Sequence, residues 1–303
     1  MPSRYALALI GIASAATVLR AQDFSQTVIK VTPLSGSVYM LEGAGGNIGL
    51  SVGTDDAFLI DDQFAPLTPK IRAAIATVTS RPVRFLLNTH WHGDHTGGNE
   101  NMAGAGAIIL AQENVRHRMS TEQFIEAFKV KVPASPRAAL PIVTFAESIT
   151  LYVNDDSVAA IHVPHAHTDG DVIVFFQKAN VIHMGDTFFN GRYPLIDLSS
   201  GGSVQGMIAA ADRALELSNS GTRFIPGHGP LANRDDLVRY RNMLATVTDR
   251  VEKSVAKGRT LKEVIASKPS AGYDAKLGND NIKPDQFVSF VYASVTASAR
   301  NGK

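Results

Sequence analysis

The chain of 303 residues contains no cysteine. This absence excludes disulfide bonds, thiolate metal ligands and a cysteine nucleophile. The chain also has no excess of one charge, because 29 Lys and Arg residues balance 28 Asp and Glu residues, for a formal net charge of +1. Long runs of like charge are absent too, so the sequence predicts that nucleic acid is not a partner. Hydrophobic residues make up 45% of the chain, which is typical of a globular protein with a substantial core.

The first 22 residues, MPSRYALALIGIASAATVLRAQ, have the layout of a secretory signal peptide. A positive charge at Arg4 precedes an apolar stretch at 5–19, and small residues follow. The apolar stretch is short for a membrane span, which needs about 18 residues or more. We therefore predict a signal peptide at 1–21, a single domain at 22–303 and no stable membrane insertion after cleavage. Cleavage after Ala16, an uncleaved anchor and an ordinary buried helix are the alternatives.

Hydrophobic periodicity along the rest of the chain switches between strand and helix spacing. It predicts strands at 37–41, 47–52, 57–61, 83–87, 108–111, 142–145, 149–153, 159–163, 172–177, 181–184 and 223–226. It predicts helices at 67–79, 113–119, 121–128, 204–217, 235–256, 261–266 and 285–299. The segment 129–141 holds three prolines and is predicted to be a mobile connection. Two sheet-rich halves without a dividing linker favour an α/β (α+β) fold of four layers, with helices outside two sheets.

Three histidines and an aspartate lie within the hexapeptide HWHGDH at 90–95, although the whole chain has only nine histidines. Histidine is the commonest metal ligand in proteins. His90 and His92 leave a predicted strand two residues apart, so their side chains turn to the same side and can share an ion. Asp94 and His95 follow where the chain turns, and they are placed to reach a second point nearby. The motif therefore favours two metal ions.

Further ligand candidates follow other predicted strands. His167 lies in HAHTDGD, Asp186 in HMGDT and His228 in IPGHG. Each is expected on a loop after an apolar strand, where functional residues are commonly carried by a rigid scaffold.

These four motifs, in this order between about residues 30 and 240, resemble those of the metallo-β-lactamase superfamily. The resemblance implies a four-layer αββα sandwich of two mixed sheets, with the site along one edge of both sheets. It implies two Zn²⁺ ions, one held by His90, His92 and His167. It also implies that Asp94, His95 and His228 hold the other ion and that Asp186 bridges the two.

This ligand set suits zinc chemistry, although iron or manganese can occupy the same nitrogen and carboxylate ligands. Zinc lowers the pKa of bound water to about 7, so a metal-bound hydroxide is available as a nucleophile at neutral pH. Asp94 is the predicted catalytic residue, because its carboxylate can also accept a hydrogen bond from that nucleophile and orient it.

The identity of residue 186 narrows the range of expected substrate classes. The resemblance implies that antibiotic-degrading members typically carry cysteine or serine there, whereas an aspartate resembles the glyoxalase II, lactonase and sulfatase branches. We therefore predict an exported zinc-dependent hydrolase, located in a bacterial periplasm or secreted, that cleaves a small carbonyl substrate. An ester, a lactone, a thioester and a β-lactam-like cyclic amide all remain open. The alternatives are a phosphodiesterase or nuclease, a sulfatase, and a metal-binding protein without catalysis.

Several other polar residues are weaker candidates. Asn190 and Tyr193 are predicted to contact the substrate, as donors to a developing oxyanion. His165 is either a partner of a ligand or a solvated loop residue, whereas His162 and His183 are expected to support the fold. The turn at 42–47 and the segment 190–202 are expected to shape specificity. The sequence predicts neither the identity of the substrate nor the oligomeric state.

Overall fold

The computed structural model describes residues 23–301. The predicted signal peptide at 1–21 lies outside the described residues. Within this part of the chain, no helix combines the length and the apolar character that crossing a membrane requires.

The strands of the described residues form two large sheets and one small hairpin. They are β1 (Lys30–Ser35), β2 (Val38–Glu42), β3 (Ile48–Ser51), β4 (Ala57–Ile60), β5 (Val83–Asn88), β6 (Ile108–Gln112), β7 (Gln123–Ile125), β8 (Val130–Val132), β9 (Val143–Phe145), β10 (Ser148–Val153), β11 (Asp156–His162), β12 (Val172–Phe176), β13 (Val181–His183), β14 (Arg223–Ile225) and β15 (Ala232–Asn233).

The α-helices lie mainly in the second half of the chain. They are α1 (Thr68–Ala76), α2 (Gly93–Thr96), α3 (Asn99–Gly104), α4 (Glu113–Met119), α5 (Val204–Leu217), α6 (Arg234–Val255), α7 (Leu261–Ala266), α8 (Ala271–Leu277) and α9 (Pro284–Asn301). Short 3₁₀ turns lie at Ala65–Leu67, Arg137–Ala139, Gly185–Thr187 and Leu198–Ser200.

Both large sheets are mixed. The first has the strand order β1-β2-β3-β4-β5-β6-β9. Its first four strands form an antiparallel meander, and the pairs from β4 to β9 are parallel. The second has the order β10-β11-β12-β13-β14-β15. Within it, only the β13–β14 pair is parallel among the described strands.

Alternation of side chains along single strands builds the layers. In β5, Leu87 joins the cluster between the two sheets, whereas its neighbour Leu86 joins the cluster on the outer face of the first sheet. In β12, Val174 lies between the sheets and Ile173 lies on the outer face of the second sheet. Because successive strand residues point to opposite faces, each sheet that is apolar on both faces must be covered twice.

Helices cover both outer faces. Ile71 of α1 and Met102 of α3 belong to the cluster on the first sheet. Met207 of α5, Leu244 of α6 and Val291 of α9 belong to the cluster on the second sheet. The order of layers is therefore helix, sheet, sheet, helix, and the predicted αββα fold class is confirmed.

Most predicted elements agree with the structure, but one region was predicted wrongly. The predicted helix at 121–128 is instead strand β7, and the predicted mobile connection at 129–141 contains strand β8 and a 3₁₀ turn. β7 and β8 pair as an antiparallel hairpin, from Gln123 opposite Val132 to Ile125 opposite Val130. We call this unit, residues 123–132, the β7–β8 hairpin. Strands β1 and β15 and helices α3 and α8 were not predicted.

Candidate metal centre

The predicted metal ligands leave strands at one edge of the two sheets. His90 and His92 follow β5 in the first sheet, and Asp94 and His95 lie in α2 directly after them. The other three come from the second sheet, where His167 follows β11, Asp186 follows β13 and His228 follows β14. β13 and β14 are parallel, and β11 runs in the same direction because β12 is antiparallel to both β11 and β13. The carboxyl ends of these three strands therefore meet at the same edge.

His90, His92 and His167 form one compact group of buried imidazoles. The ring centroid of His90 lies 4.9 Å from that of His92 and 4.8 Å from that of His167. His92 Nδ1 and His167 Nε2 face each other at 2.9 Å. One ring nitrogen from each residue lies within 4.8 Å of the other two, which is close enough for the three to hold one cation.

Asp94, His95 and His228 form a second group beside the first. Asp94 Oδ2 lies 3.2 Å from His228 Nε2 and 3.6 Å from His95 Nε2. Their ligand atoms also lie within 4.8 Å of one another. His95 is buried, whereas Asp94 and His228 are partly exposed, so this second group borders solvent.

Asp186 lies between the two groups. Its Oδ1 atom lies 3.1 Å from His95 Nε2, and its Oδ2 atom lies 3.4 Å from His228 Nε2. The same Oδ2 atom lies 3.6 Å from His167 Nε2 in the first group. A carboxylate in this position can contact a cation in either group.

The outer nitrogens of four histidines have partners that fix their protonation. His92 Nε2 donates to the Asp197 carboxylate at 3.0 Å, and His95 Nδ1 donates to the Asp61 carboxylate at 2.7 Å. His167 Nδ1 donates to the carbonyl of Leu195 at 2.9 Å. The remaining outer partner is the hydroxyl of Thr89, 3.1 Å from His90 Nδ1; it donates to Asp61, so it accepts from His90. With each outer nitrogen protonated, the inner nitrogen keeps its lone pair for a metal ion.

Several inner atoms make no hydrogen bond with any described residue although they are buried. They are His90 Nε2, His95 Nε2 and Asp186 Oδ1. Buried polar atoms normally have hydrogen-bond partners, and a site for a bound ion is one of the few explanations for those that have none. Ligand atoms of His90, His95 and Asp186 lie within 4.8 Å of one another, so these residues form a further set of potential ligands that overlaps both groups. Imidazole and carboxylate are ligands that zinc prefers when thiolates are absent. The residues of this cluster are therefore suited to bind divalent metal ions.

The electrostatics of the cluster also suit a cation. Burial alone would raise the pKa of Asp186, but His228 and His95 outweigh it and hold the pKa well below its usual range. Burial opposes protonation of His228, yet Asp186 and Asp94 raise its pKa to about 9. Burial lowers the pKa of His167 to about 4. Asp186 is thus ionised at neutral pH and His167 is neutral, as a metal ligand must be, whereas a cation that binds His228 has to displace its proton.

The other sequence candidates lie outside this cluster. The Tyr193 hydroxyl is buried and donates to Asp274 Oδ1 at 2.7 Å, and Asn190 Nδ2 donates to the carbonyl of Pro230 at 2.9 Å. Tyr193 borders the pocket at the metal ligands, but Asn190 does not. Because both donors already have protein acceptors, this geometry favours structural roles, and an oxyanion contact from either stays a prediction.

The remaining candidate histidines have different surroundings. His165 is exposed, and its Nδ1 atom contacts the carbonyl of Gly201 at 3.1 Å. His162 donates to the carbonyl of Asp169, and buried His183 to that of Asn47. All three therefore bond to backbone rather than to the ligand cluster.

Sequence reasoning missed Asp61, Thr89 and Asp197, which hold the outer nitrogens. Asp61 ends a buried strand and adjoins a second aspartate, and Asp197 lies in the segment predicted to cover the site. No motif in the sequence distinguishes either position from an ordinary loop aspartate. The contacts join residues that are far apart in the chain, such as His92 and Asp197, which are 105 residues apart.

Comparison with known proteins supports the family resemblance that the motifs of this chain indicate. The model of the family described as the metallo-beta-lactamase superfamily matches residues 31–228. The chain is 24% identical to the lactamase-like protein aptB of Emericella nidulans over 71% of this chain and 60% of that protein. It is 28% identical to a hydroxyacylglutathione hydrolase of Nitrosococcus oceani over 59% of this chain and 60% of that protein. The chain thus spans less than two thirds of the length of these two relatives.

Two solved structures share the fold. One is a metallo-beta-lactamase from Pontibacter korlensis, with a TM-score of 0.60, 20% identity and coverage of 72% of this chain and 99% of that one. The other is the DIM-1 metallo-beta-lactamase, with a TM-score of 0.57, 16% identity and coverage of 72% and 98%. At these identities the likeness concerns the fold, and the activity of this chain must be argued from its own site.

Proposed function

The chain belongs to the metallo-β-lactamase superfamily, and from this premise we propose that it is an exported hydrolase that uses two divalent metal ions, preferably zinc, to cleave a small carbonyl substrate. The substrate classes are an ester, a lactone, a thioester and a cyclic amide. The proposal for export rests on the leader-like first 22 residues.

One observation carries the proposal for two ions. Asp186 lies between two groups of three potential ligands, with its Oδ1 and Oδ2 atoms near histidines of both groups. Two neighbouring cations repel each other, and a shared carboxylate offsets part of that repulsion. A single ion held by one of these groups would leave the other group, whose ligand atoms also lie within 4.8 Å of one another, without a cation.

When bound, divalent ions in such a site supply Lewis acidity towards a carbonyl oxygen and lower the pKa of water towards neutrality. The roles of the protein residues follow from their exposure and their charge. Asp94 and His228 are the partly exposed members of the cluster, and both border the adjoining pocket. Burial opposes ionisation of Asp94, but His95 and His228 hold the pKa of its carboxyl below the usual range. Asp94 is therefore a carboxylate at neutral pH and can accept a hydrogen bond from an attacking water and orient it.

A carbonyl substrate class agrees with two independent features. Asp186 stands where the antibiotic-degrading branch typically carries cysteine or serine, which favours ester, lactone and thioester substrates over β-lactams. Relatives named hydroxyacylglutathione hydrolase occur among the curated proteins that the chain resembles, which supports including thioesters.

The test combines metal content with a substrate screen. Protein purified without chelator, then reloaded with zinc, should approach two equivalents of transition metal per chain. It should hydrolyse at least one of a lactone, a thioester and an aryl ester, with a sulfate ester and a chromogenic β-lactam as comparison substrates. Chelation should abolish the activity and zinc should restore it. Failure to bind metal after reloading would contradict the proposal, as would turnover of the sulfate ester alone.

A further inference from the structure

The pocket beside the metal ligands is small and mostly apolar. It has a volume of about 270 Å³, below the range of about 300–1,000 Å³ that is usual for pockets that hold drug-sized ligands. Asp94 and His228 border it. Its walls include the side chains of Phe64, Ile125, Phe128, Phe189, Leu195 and Ile282. A small substrate that reaches Asp94 must therefore place its non-reacting part against apolar surface.

The β7–β8 hairpin supplies one wall of this pocket. Ile125 and Val132 pack on the buried cluster that contains Trp91, the neighbour of ligand His92. The backbone N–H of Glu126 donates to Ser199 Oγ at 3.2 Å, and that of Phe128 donates to the carbonyl of Ile125 at 3.2 Å. The loop of the hairpin is thus anchored to the molecule on the side of the metal centre.

Phe128 in that loop is unusually exposed for a large apolar side chain. It borders the pocket, yet 51% of its surface is accessible to solvent. A phenylalanine at the mouth of a polar metal site gains little from the fold itself, whereas contact with an apolar ligand would remove its surface from water.

Away from the metal ligands, the described residues of the pocket offer no unpaired Lys or Arg side chain to an anionic substrate. Among the described residues that border it, Arg192 is the only Lys or Arg, and its guanidinium pairs with Asp280 at 3.0 Å. Asp94 and Asp186 also border the pocket, but bound metal ions would balance their charge, and Asp280 is paired with Arg192. A glutathione thioester carries two carboxylates away from its reacting carbonyl, and these would find no unpaired Lys or Arg side chain among the described residues of the pocket. Binding them would also cost the desolvation of charge without compensation.

We propose that the β7–β8 hairpin selects a neutral substrate with an apolar acyl or alkyl group, such as an alkyl-substituted lactone or a medium-chain ester, and that Phe128 contacts this group. The inference rests on the proposed hydrolytic function and narrows its substrate class. It sets this chain apart from enzymes that act on acylated glutathione.

The first test measures hydrolysis of esters that share one alcohol and differ in acyl length, from acetyl to hexanoyl. Burial of each additional methylene should raise kcat/KM about fourfold until the pocket is filled. Phe128→Ala should lose about tenfold on the hexanoyl ester and less than about twofold on the acetyl ester. Phe124→Ala is the matched control, because Phe124 is 43% exposed on the same hairpin but does not border the pocket. Equal effects of the two substitutions, or no dependence on acyl length, would overturn the proposal.

The second test isolates charge. The same acyl group is presented as a thioester of glutathione and as a thioester of N-acetylcysteamine, a short uncharged thiol. We expect kcat/KM to favour the uncharged thioester by at least about tenfold. Equal rates or a preference for the glutathione thioester would refute the exclusion of anionic substrates.

A binding measurement separates this inference from the proposed function. Calorimetry can follow the binding of alkyl-substituted pyrrolidinones, which are neutral and resist hydrolysis, to the zinc-loaded wild type, Phe128→Ala and Phe124→Ala. Affinity that rises with alkyl length and falls only in Phe128→Ala supports the inference even if no carbonyl substrate is turned over, in which case the proposed function fails. Hydrolysis without any dependence on alkyl length or on Phe128 would leave the proposed function standing and overturn the inference.

Discussion

His165 and His167 lie in the same loop, but only one of them has the contacts expected of a metal ligand. His167 is buried, its outer nitrogen donates to the carbonyl of Leu195, and its inner nitrogen faces His92. His165 is exposed, and among the described residues its side chain has a hydrogen-bond partner only in the carbonyl of Gly201. A metal ligand needs both an oriented ring and a free inner nitrogen, and of the two only His167 has both.

Replacing each of these histidines should therefore have unequal effects. His167→Ala removes a ligand, so we expect loss of about one metal equivalent and at least about a hundredfold loss of kcat/KM. His165→Ala should change either quantity by less than about twofold. Metal analysis and steady-state kinetics on the zinc-loaded variants provide the measurement. If His165→Ala is as damaging as His167→Ala, the ligand assignment in HAHTDGD is wrong.

The partner of an outer nitrogen should also affect metal binding. Asp197 accepts from His92 Nε2 at 3.0 Å, and loss of such a partner typically weakens metal affinity by about 10–100-fold. Asp197→Asn keeps the shape but removes the charge, so we expect a weakening in that range in a competition titration against a chelator. Asp212→Asn is the control, because Asp212 pairs with Arg241 between α5 and α6. Equal affinities of both variants and the wild type would exclude an orienting role for Asp197.

At the scale of residues, the sequence indicated which side chains come together in the cluster, but it did not indicate the partners of their outer nitrogens. The spacing of HWHGDH signals metal binding within six residues. The contacts of Asp61 with Thr89 and His95 depend instead on the pairing of β4 with β5, which brings the ends of two separate strands together. Only the register of a folded sheet determines such a contact.

At the scale of elements, helix α5 supports the loop that carries His167. The hydroxyl of its N-cap residue Ser203 accepts from the N–H of Gly206 and donates to the carbonyl of His165. A Cβ atom on Gly206 would lie 1.8 Å from that carbonyl oxygen, a distance at which the loop or the helix must shift. Gly206 therefore permits the close approach of helix and loop.

We expect Gly206→Ala to displace the loop and destabilise the fold. Overpacking of this kind costs about 2 kcal/mol, which corresponds to a drop in Tm of roughly 4–8 °C for a chain of this size class. Zinc affinity should fall as well, because His167 moves with the loop. Gly272→Ala is the control, since nothing lies within 4 Å of a Cβ atom at that position in α8, and its Tm should be unchanged or slightly raised. Calorimetry that finds equal Tm values for the two variants would contradict a tight contact at Gly206.

The main error of the sequence prediction also concerns an element, the β7–β8 hairpin. Residues 121–128 contain Gln123, Glu126 and Ala127, which are compatible with a helix, and this local preference predicted one. In the structure, Ile125 and Val132 pack on the cluster around Trp91, and this tertiary contact favours the paired hairpin. Strand preference depends on what a side chain packs against more than on local sequence, so a short hairpin without a strong turn signal was not predictable.

At the scale of the whole molecule, the metal centre joins the two sheets. His90, His92, Asp94 and His95 come from the end of a strand of the first sheet, and His167, Asp186 and His228 come from strands of the second. The short apolar strands predicted this layered fold correctly, because strands that are apolar on both faces must be covered on both sides. A cation held by ligands of both sheets adds a connection between halves that otherwise meet through their apolar core.

Removing metal should therefore lower the stability of the whole chain and not only its activity. An ion that binds only the folded state at about a thousand times its Kd contributes about 4 kcal/mol, because it shifts unfolding by mass action. At roughly 2–4 °C per kcal/mol, chelation should lower Tm by about 10 °C, and added zinc should restore it. Asp186→Asn should show a smaller difference between the chelated and the zinc-loaded form, because the carboxylate between the two ligand groups loses its charge. Differential scanning calorimetry on both proteins, with and without chelator, measures this. Identical Tm values of the wild type in the two conditions would show that the ligand cluster holds no tightly bound ion that connects the sheets.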